Sequence, residues 1–174
     1  MTTARRNTSD IIKYGMLAGA AGGLAEVAWV SLYAAVTGGD AAILARGVTT
    51  AVGVTALLPA APVAIGITVH MLLAVVLGVA LAGLWQALSR TQSTGSLYGV
   101  ALAVLAGVWV FNFFVALPLI SPAFVHLVPY PVSLLSKLLF GLAAAETLRR
   151  CAMVAATGVP VRVRAASRTR HPAP

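Results

Sequence analysis

Four long apolar runs divide the chain, and short segments carrying glycine, proline and charge separate them. The runs cover about 14–36, 63–88, 97–117 and 132–153. A helix crosses the hydrocarbon core of a bilayer with about 20 apolar residues, so each run is long enough to span. Within the runs, small and polar positions recur at helical spacing. In the first, Gly15, Gly19, Gly22, Glu26, Trp29 and Tyr33 follow one another at alternating intervals of four and three, which keeps them on one face. Small residues let a second helix approach closely. The first run is therefore expected to pack along a glycine seam with Glu26 turned inward. The second run repeats the pattern with Gly66, His70, Ala74, Gly78 and Ala82, and the fourth with Ser133, Lys137, Gly141 and Ala145. In the third, Gly99, Ala103 and Gly107 form the small face. That face could serve packing within the chain or contact with another copy. Asn112 lies about 140–180° around the helix from it.

The connections have their own signals. Thr37, Gly38 and Gly39 break the first helix, and Asp40 is a candidate N-cap for a short helix after the break. The stretch 41–52, with Arg46, is too short to span and is expected at the interface or slightly re-entrant. Pro59 and Pro62 punctuate the entry to the second span. Residues 89–96 read as a short polar turn, and 118–131, with four prolines, His126 and Tyr130, as an irregular apolar loop.

Composition agrees with the pattern. The 174 residues are 60% hydrophobic and 9% charged, with mean hydropathy +0.95. Soluble domains carry about 25% charged residues. Long unbroken apolar runs do not fit a transmembrane β-barrel, which needs short alternating segments. Cys151 is the only cysteine, so no intrachain disulfide can form. Abundant Ala, Gly and Val, with Arg far outnumbering Lys, suggest a GC-rich bacterial source. The first run is too long for a signal peptide, contains Glu26 and Trp29, and lacks a small-x-small cleavage site, so it reads as an uncleaved span. Arg5 and Arg6 resemble a twin-arginine signal in nothing beyond the pair itself.

The net charge of +8 alone would suggest nucleic acid, but most basic residues flank the apolar runs. With four spans, Arg5, Arg6, Lys13, Arg90, Arg149, Arg150 and the arginines of the tail all fall on one side, and Arg46 on the other. The positive-inside rule then places both termini in the cytoplasm. Residues 1–13 form a cytoplasmic segment. Residues 154–174, with four arginines among Pro, Ala and Ser, form a basic tail expected to be disordered and to meet anionic lipid headgroups.

Charge inside the membrane is the main chemical signal. A carboxylate at a helix centre costs roughly 2.5–3.5 kcal/mol on insertion scales, so it faces the interior and takes a partner. At about 1.5 Å per residue, Glu26 lies roughly 12 Å below the outer edge of the core, and His70 and Lys137 about 10 Å. Three ionisable residues from three helices thus reach a similar depth. One reading is structural, a Glu26–Lys137 pair with His70 hydrogen-bonded nearby. The other is a site for a proton-linked pathway or a small ligand, with Tyr33, Asn112 and His126 as further members. His70 and His126 also raise a haem or transition-metal alternative, although no CxxCH or paired-histidine motif accompanies them. No G-x-S-x-G, Walker A, HExxH or dinucleotide fingerprint occurs, so no enzyme is expected.

Phe111–Phe114 (FNFF), the proline-rich loop and Pro129–Gly141 (PYPVSLLSKLLFG) resemble small bacterial inner-membrane proteins of unknown function with four predicted helices. The resemblance covers most of 14–150 and implies an inner-membrane location without carrying over catalytic residues. The expectation is an all-α, four-span inner-membrane bundle with a polar cluster in its outer half. It would act as a non-enzymatic accessory subunit or small transport or binding module. No resident cofactor is expected, and a homo-oligomer or membrane complex is possible.

Overall fold

The computed structural model describes residues 8–53, 61–88 and 94–157, where all regular structure is helical. Expectations for Arg5, Arg6, Pro59, Arg90 and the arginines of the tail fall outside the described residues. Helix α1 covers Thr8–Thr37, α2 Ala42–Ala51, α3 Pro62–Leu88 and α4 Thr94–Phe111. A π-helical turn, Asn112–Ala116, joins α4 to the short α5, Leu117–Ile120. A 3-10 turn, Pro122–His126, precedes α6, Tyr130–Thr157. Four helical segments are long and apolar enough to cross a membrane, namely Thr8–Thr37, Pro62–Leu88, Ser96–Ile120 and Tyr130–Ala152. Residues 154–157, assigned by sequence to the tail, continue α6.

The spans pack antiparallel in chain order, and side-chain contacts fix the register. Along α1, Gly15 meets Val79 and Gly23 meets Met71, so α3 runs the other way. Gly22 meets Phe140 while the Trp29 indole donates to the Val132 carbonyl, at 3.1 Å, so α6 is also antiparallel to α1. Tyr98 reaches Glu146 near one end of the α4–α6 pair, and the Trp109 indole donates to Ser133 Oγ, 3.0 Å, near the other. Helix α1 lies between α3 and α6, and α6 between α1 and α4. The glycine seam of α1 is therefore shared by two neighbours. A Cβ at Gly19 would lie 2.7 Å from Val75 Cα, and one at Gly22 would lie 2.7 Å from the Phe140 ring. Phe140, Leu81, Leu97 and Leu105 are the largest fully buried apolar side chains.

The short helix α2 is set between two glycines in the left-handed region, Gly38 at φ 72° and Gly53 at φ 73°. At the first, the Gly39 N–H returns to the Ala34 carbonyl at 2.8 Å, closing α1 with a Schellman-type bond. The N-cap of α2 is Ala41 rather than the expected Asp40, whose Oδ1 accepts from the Ala42 N–H at 2.8 Å from one residue further out. The other Asp40 oxygen pairs with Arg46 at 2.6 Å. Helix α2 lies against the start of α3. The fully buried Thr49 hydroxyl donates to the Pro62 carbonyl. Gly66 lets the two backbones close up, because a Cβ there would stand 2.6 Å from the Ala45 carbonyl carbon.

The stripe Gly99, Ala103 and Gly107 points away from the bundle, and all three residues are exposed, which removes packing within the chain from the two roles the sequence allowed it. A Cβ at Gly99 or Gly107 would meet nothing within 4 Å. Leu97, Ala101 and Leu105 form the packed face of α4 instead. The expected irregular loop 118–131 is mostly helical. Pro118 lies inside the continuing helix, where its ring would crowd the carbonyl four residues back. The π-helical turn just before it, with the Leu117 N–H bonded to the Asn112 carbonyl, widens the helix at that point.

Candidate functional site

Glu26 is 3% exposed in the middle of α1, and its carboxylate takes its hydrogen-bond partners from α6. Lys137 Nζ lies 2.7 Å from Oε1 and 3.0 Å from Oε2, so the ammonium straddles the carboxylate. The neighbouring Ser136 hydroxyl donates to Oε1 at 3.0 Å. From α3, His70 Nε2 stands 3.7 Å from Oε2, beyond hydrogen-bond reach. Among the described residues this nitrogen is the buried side-chain polar atom that has no hydrogen-bond partner. The small-residue faces of α1, α3 and α6 thus converge on one carboxylate.

Beside this cluster lies a cavity of about 320 Å³. Helices α1, α3 and α6 form its walls, with Glu26, His70 and Lys137 among the lining residues. Ala41, just ahead of α2, and Leu44, Ala45 and Val48 of that helix roof it and recur at helical spacing. Phe113 of the π-helical turn and Phe124 of the 3-10 turn complete the apolar lining. The lining residues Ser31 and Ile67 are exposed, so the cavity is open on their side. Its surface is therefore mostly hydrocarbon, with one polar end. Such a wall suits a molecule that has an apolar body and a small polar group.

The other residues singled out in the sequence fall elsewhere. Tyr33 is half-buried and does not line the cavity. Asn112 opens the π-helical turn, half-buried, and also lies off the cavity. His126 is exposed at the end of the 3-10 turn and is not a lining residue. His70 and His126 therefore do not share the cavity. Among the described residues no group of three or more His, Cys, Asp or Glu side chains is placed to hold a metal ion.

Sequence reasoning missed Ser136, whose signal was its position beside Lys137. It also missed a second polar cluster, where Tyr98 donates to Glu146 and Arg149 Nε bonds both, at 3.1 Å to Tyr98 Oη and 2.8 Å to Glu146 Oε2. Arg150 adds a bond to Glu146 at 2.6 Å. This cluster ties α4 to α6 far from the cavity. A group of rings, Trp109, Phe113, Phe114 and Tyr130, packs with centroids 5.4 to 6.1 Å apart and braces the π-helical turn against the start of α6.

Against known proteins the chain stands apart, with no matching family model, curated protein or solved structure.

Proposed function

We propose that this chain is a non-enzymatic binding or transport module of a bacterial inner membrane, and that its ligand occupies the cavity beside Glu26, His70 and Lys137. Four apolar helices support the multi-pass setting. The lopsided placement of Arg and Lys supports cytoplasmic termini, with α2 and the cavity in the outer half of the bilayer.

The observation that carries the reading is the polar end of the cavity. A pair needed only to neutralise Glu26 would be complete with Lys137 and Ser136. Here a third polar residue from another helix, His70, joins Glu26 and Lys137 among the residues that line an otherwise apolar cavity, so the polar end exceeds what neutralising Glu26 requires.

The test is the small-molecule content of the purified protein, compared between the native chain and Val48→Trp, which fills the cavity from its roof. A stoichiometric compound recovered from the native protein and lost from the variant is the expected result. Equal content in both proteins, with Val48→Trp folded, would sink the reading.

A further inference from the structure

On that reading of the cavity, we infer that its ligand is an uncharged single-chain lipid, and that it enters sideways from the hydrocarbon of the membrane through a slot between α1 and α3.

The slot lies where the two helices part. Along most of their contact α1 and α3 touch closely, with Gly78 against Gly15 and Gly19, and Gly23 against Met71 and Ala74. Seven residues make almost two turns, so Val30 continues the face of Gly23 and Ile67 that of Ala74. The contact does not continue with them. Ala74 is 4% exposed and Ile67 41%, and Val30 and Ile67 both line the cavity. At this level the neighbour of α3 is α2, which Gly66 admits against Ala45. Helix α2 packs on α3 and on the 3-10 turn, where Gly47 meets Phe124 and Leu127, rather than along α1. A gap is left between α1 and α3 beneath α2.

Depth decides what reaches that gap. Ser31 and Ile67 are the exposed residues of the lining, whereas Leu44, Ala45 and Val48 in the roof are partly buried. Helix α2 exposes Arg46 and Thr50 on its other side. At about 1.5 Å per residue, Ser31 lies roughly 8 Å and Ile67 roughly 6 Å inside the ends of the apolar runs 14–36 and 63–88. The mouth therefore opens within the hydrocarbon layer. Leu32, beside Ser31, is 56% exposed. The exposed Thr68, beside Ile67, returns its hydroxyl to the Ala64 carbonyl at 2.8 Å, the internal satisfaction that lipid requires. A solute arriving from water meets the roof, and a molecule dissolved in the bilayer meets the mouth.

Size and polarity set the class. An engineered cavity of ~150 Å³ holds benzene, so a volume near 320 Å³ takes on the order of a dozen heavy atoms. That is one alkyl chain with a small polar group, not the two chains and headgroup of a phospholipid. The polar group belongs at the end lined by Glu26, His70 and Lys137, with the chain along Val30, Val48 and Val63. Glu26 and Lys137 neutralise each other, so an ion would enter without a counter-charge. A chain too long for the chamber can leave its end in the mouth, where it meets lipid instead of water.

The experiment uses the full chain in lipid nanodiscs and carbene labelling, which marks the residues a probe touches. Three probes carry the same diazirine. One is dodecanamide with the diazirine in mid-chain, one is the water-soluble pentanamide, and one is a phosphatidylcholine bearing the dodecanoyl chain. After illumination, peptide mass spectrometry locates the marks. The dodecanamide should mark Val30, Val48 and Val63 in addition to Leu72 and Leu73, which are 61% and 60% exposed on α3. The other two probes should leave the three valines unmarked. Ser31→Trp, at the mouth, should lose the valine marks and keep those on Leu72 and Leu73. Should that variant not fold, Ile67→Trp makes the same test from the α3 side. Unchanged valine marks in a folded mouth variant would remove the slot. Equal marking of the valines by the pentanamide would make water the source, and marking by the phosphatidylcholine would overturn the single-chain class. If no probe marks the valines, the inference fails. The binding reading is then judged separately, by the compound recovered from the native protein and lost from Val48→Trp.

Discussion

Lys137 reaches Glu26 across 111 residues of chain, and its ammonium lies within 3.0 Å of both carboxylate oxygens. Removing either partner leaves the other buried and uncompensated. For a fully buried pair that costs about 3–5 kcal/mol, and the 19% exposure of Lys137 moves the loss toward the lower figure. Glu26→Gln and Lys137→Met should each destabilise the protein in detergent, and the double variant should recover much of the loss. The measurement is a double-mutant cycle on unfolding free energy. Strict additivity would show that the two residues do not act as a pair.

The glycine seam predicts steep size dependence on one side of α1 and little on the other. Gly22→Leu must displace Phe140, whose ring would already be 2.7 Å from a bare Cβ. Overpacking of this kind costs about 1–3 kcal/mol where neighbours can adjust, and Phe140 is fully buried. Leu24 is 61% exposed on the opposite side, so Leu24→Ile should fall within about 0.5 kcal/mol of the native protein. Thermal unfolding of the two variants checks this, and equal midpoints would remove the seam.

Asp40, in the connection outside the spans, gives a prediction in pH. The hydrogen bond from Arg46, then that from the Ala42 N–H, holds its carboxyl below the ordinary carboxylate value. Because the folded value is depressed, the stabilisation is present above the unfolded value of about 3.9 and is lost as pH falls through the folded one. The Ala42 amide resonance should therefore titrate with a midpoint below about 3.9, and Arg46→Ala should raise that midpoint. A native midpoint at or above the ordinary value contradicts the contact.

Topology is tested from outside. Reporter fusions after Arg90 and after Arg150 should read cytoplasmic, and fusions near Arg46 and His126 periplasmic, in keeping with the positive-inside rule. Labelling of the His126 region from the cytoplasmic side alone would reverse the orientation or change the number of spans.

How far the sequence carried depends on what marked each helix. In α1 the seam was legible because a deep carboxylate shares a face with three glycines, and lipid is a poor place for both. In α4 the stripe of small residues left packing within the chain and contact with another copy undecided. Lipid tails are as apolar as leucine, so hydrophobicity does not distinguish inner from outer faces. The better marker was the polar-tipped aromatic pair Tyr98 and Trp109, which lie on the side of Ala101 and Leu105 and find partners on α6. The roof of the cavity was half legible, since 41–52 looked helical and interfacial, but its docking depends on Thr49 meeting Pro62 and Gly66 meeting Ala45. Those contacts are long-range and leave no periodic trace. Pro118 announced a loop, and only the π-helical turn ahead of it let the helix continue.

The wide separation of Glu26 from Lys137 also has a consequence in time. Ribosomes add roughly 5–20 residues per second, so Glu26 is joined to the chain roughly 6–22 s before Lys137. Throughout that interval the nascent chain carries an orphan carboxylate that membrane insertion must accommodate by protonation, by delay at the bilayer surface or by a chaperone's cover. The last long helix to be made thus supplies the partner of the first, and a chain that stops short of Lys137 keeps its deep carboxylate without the ammonium that neutralises it.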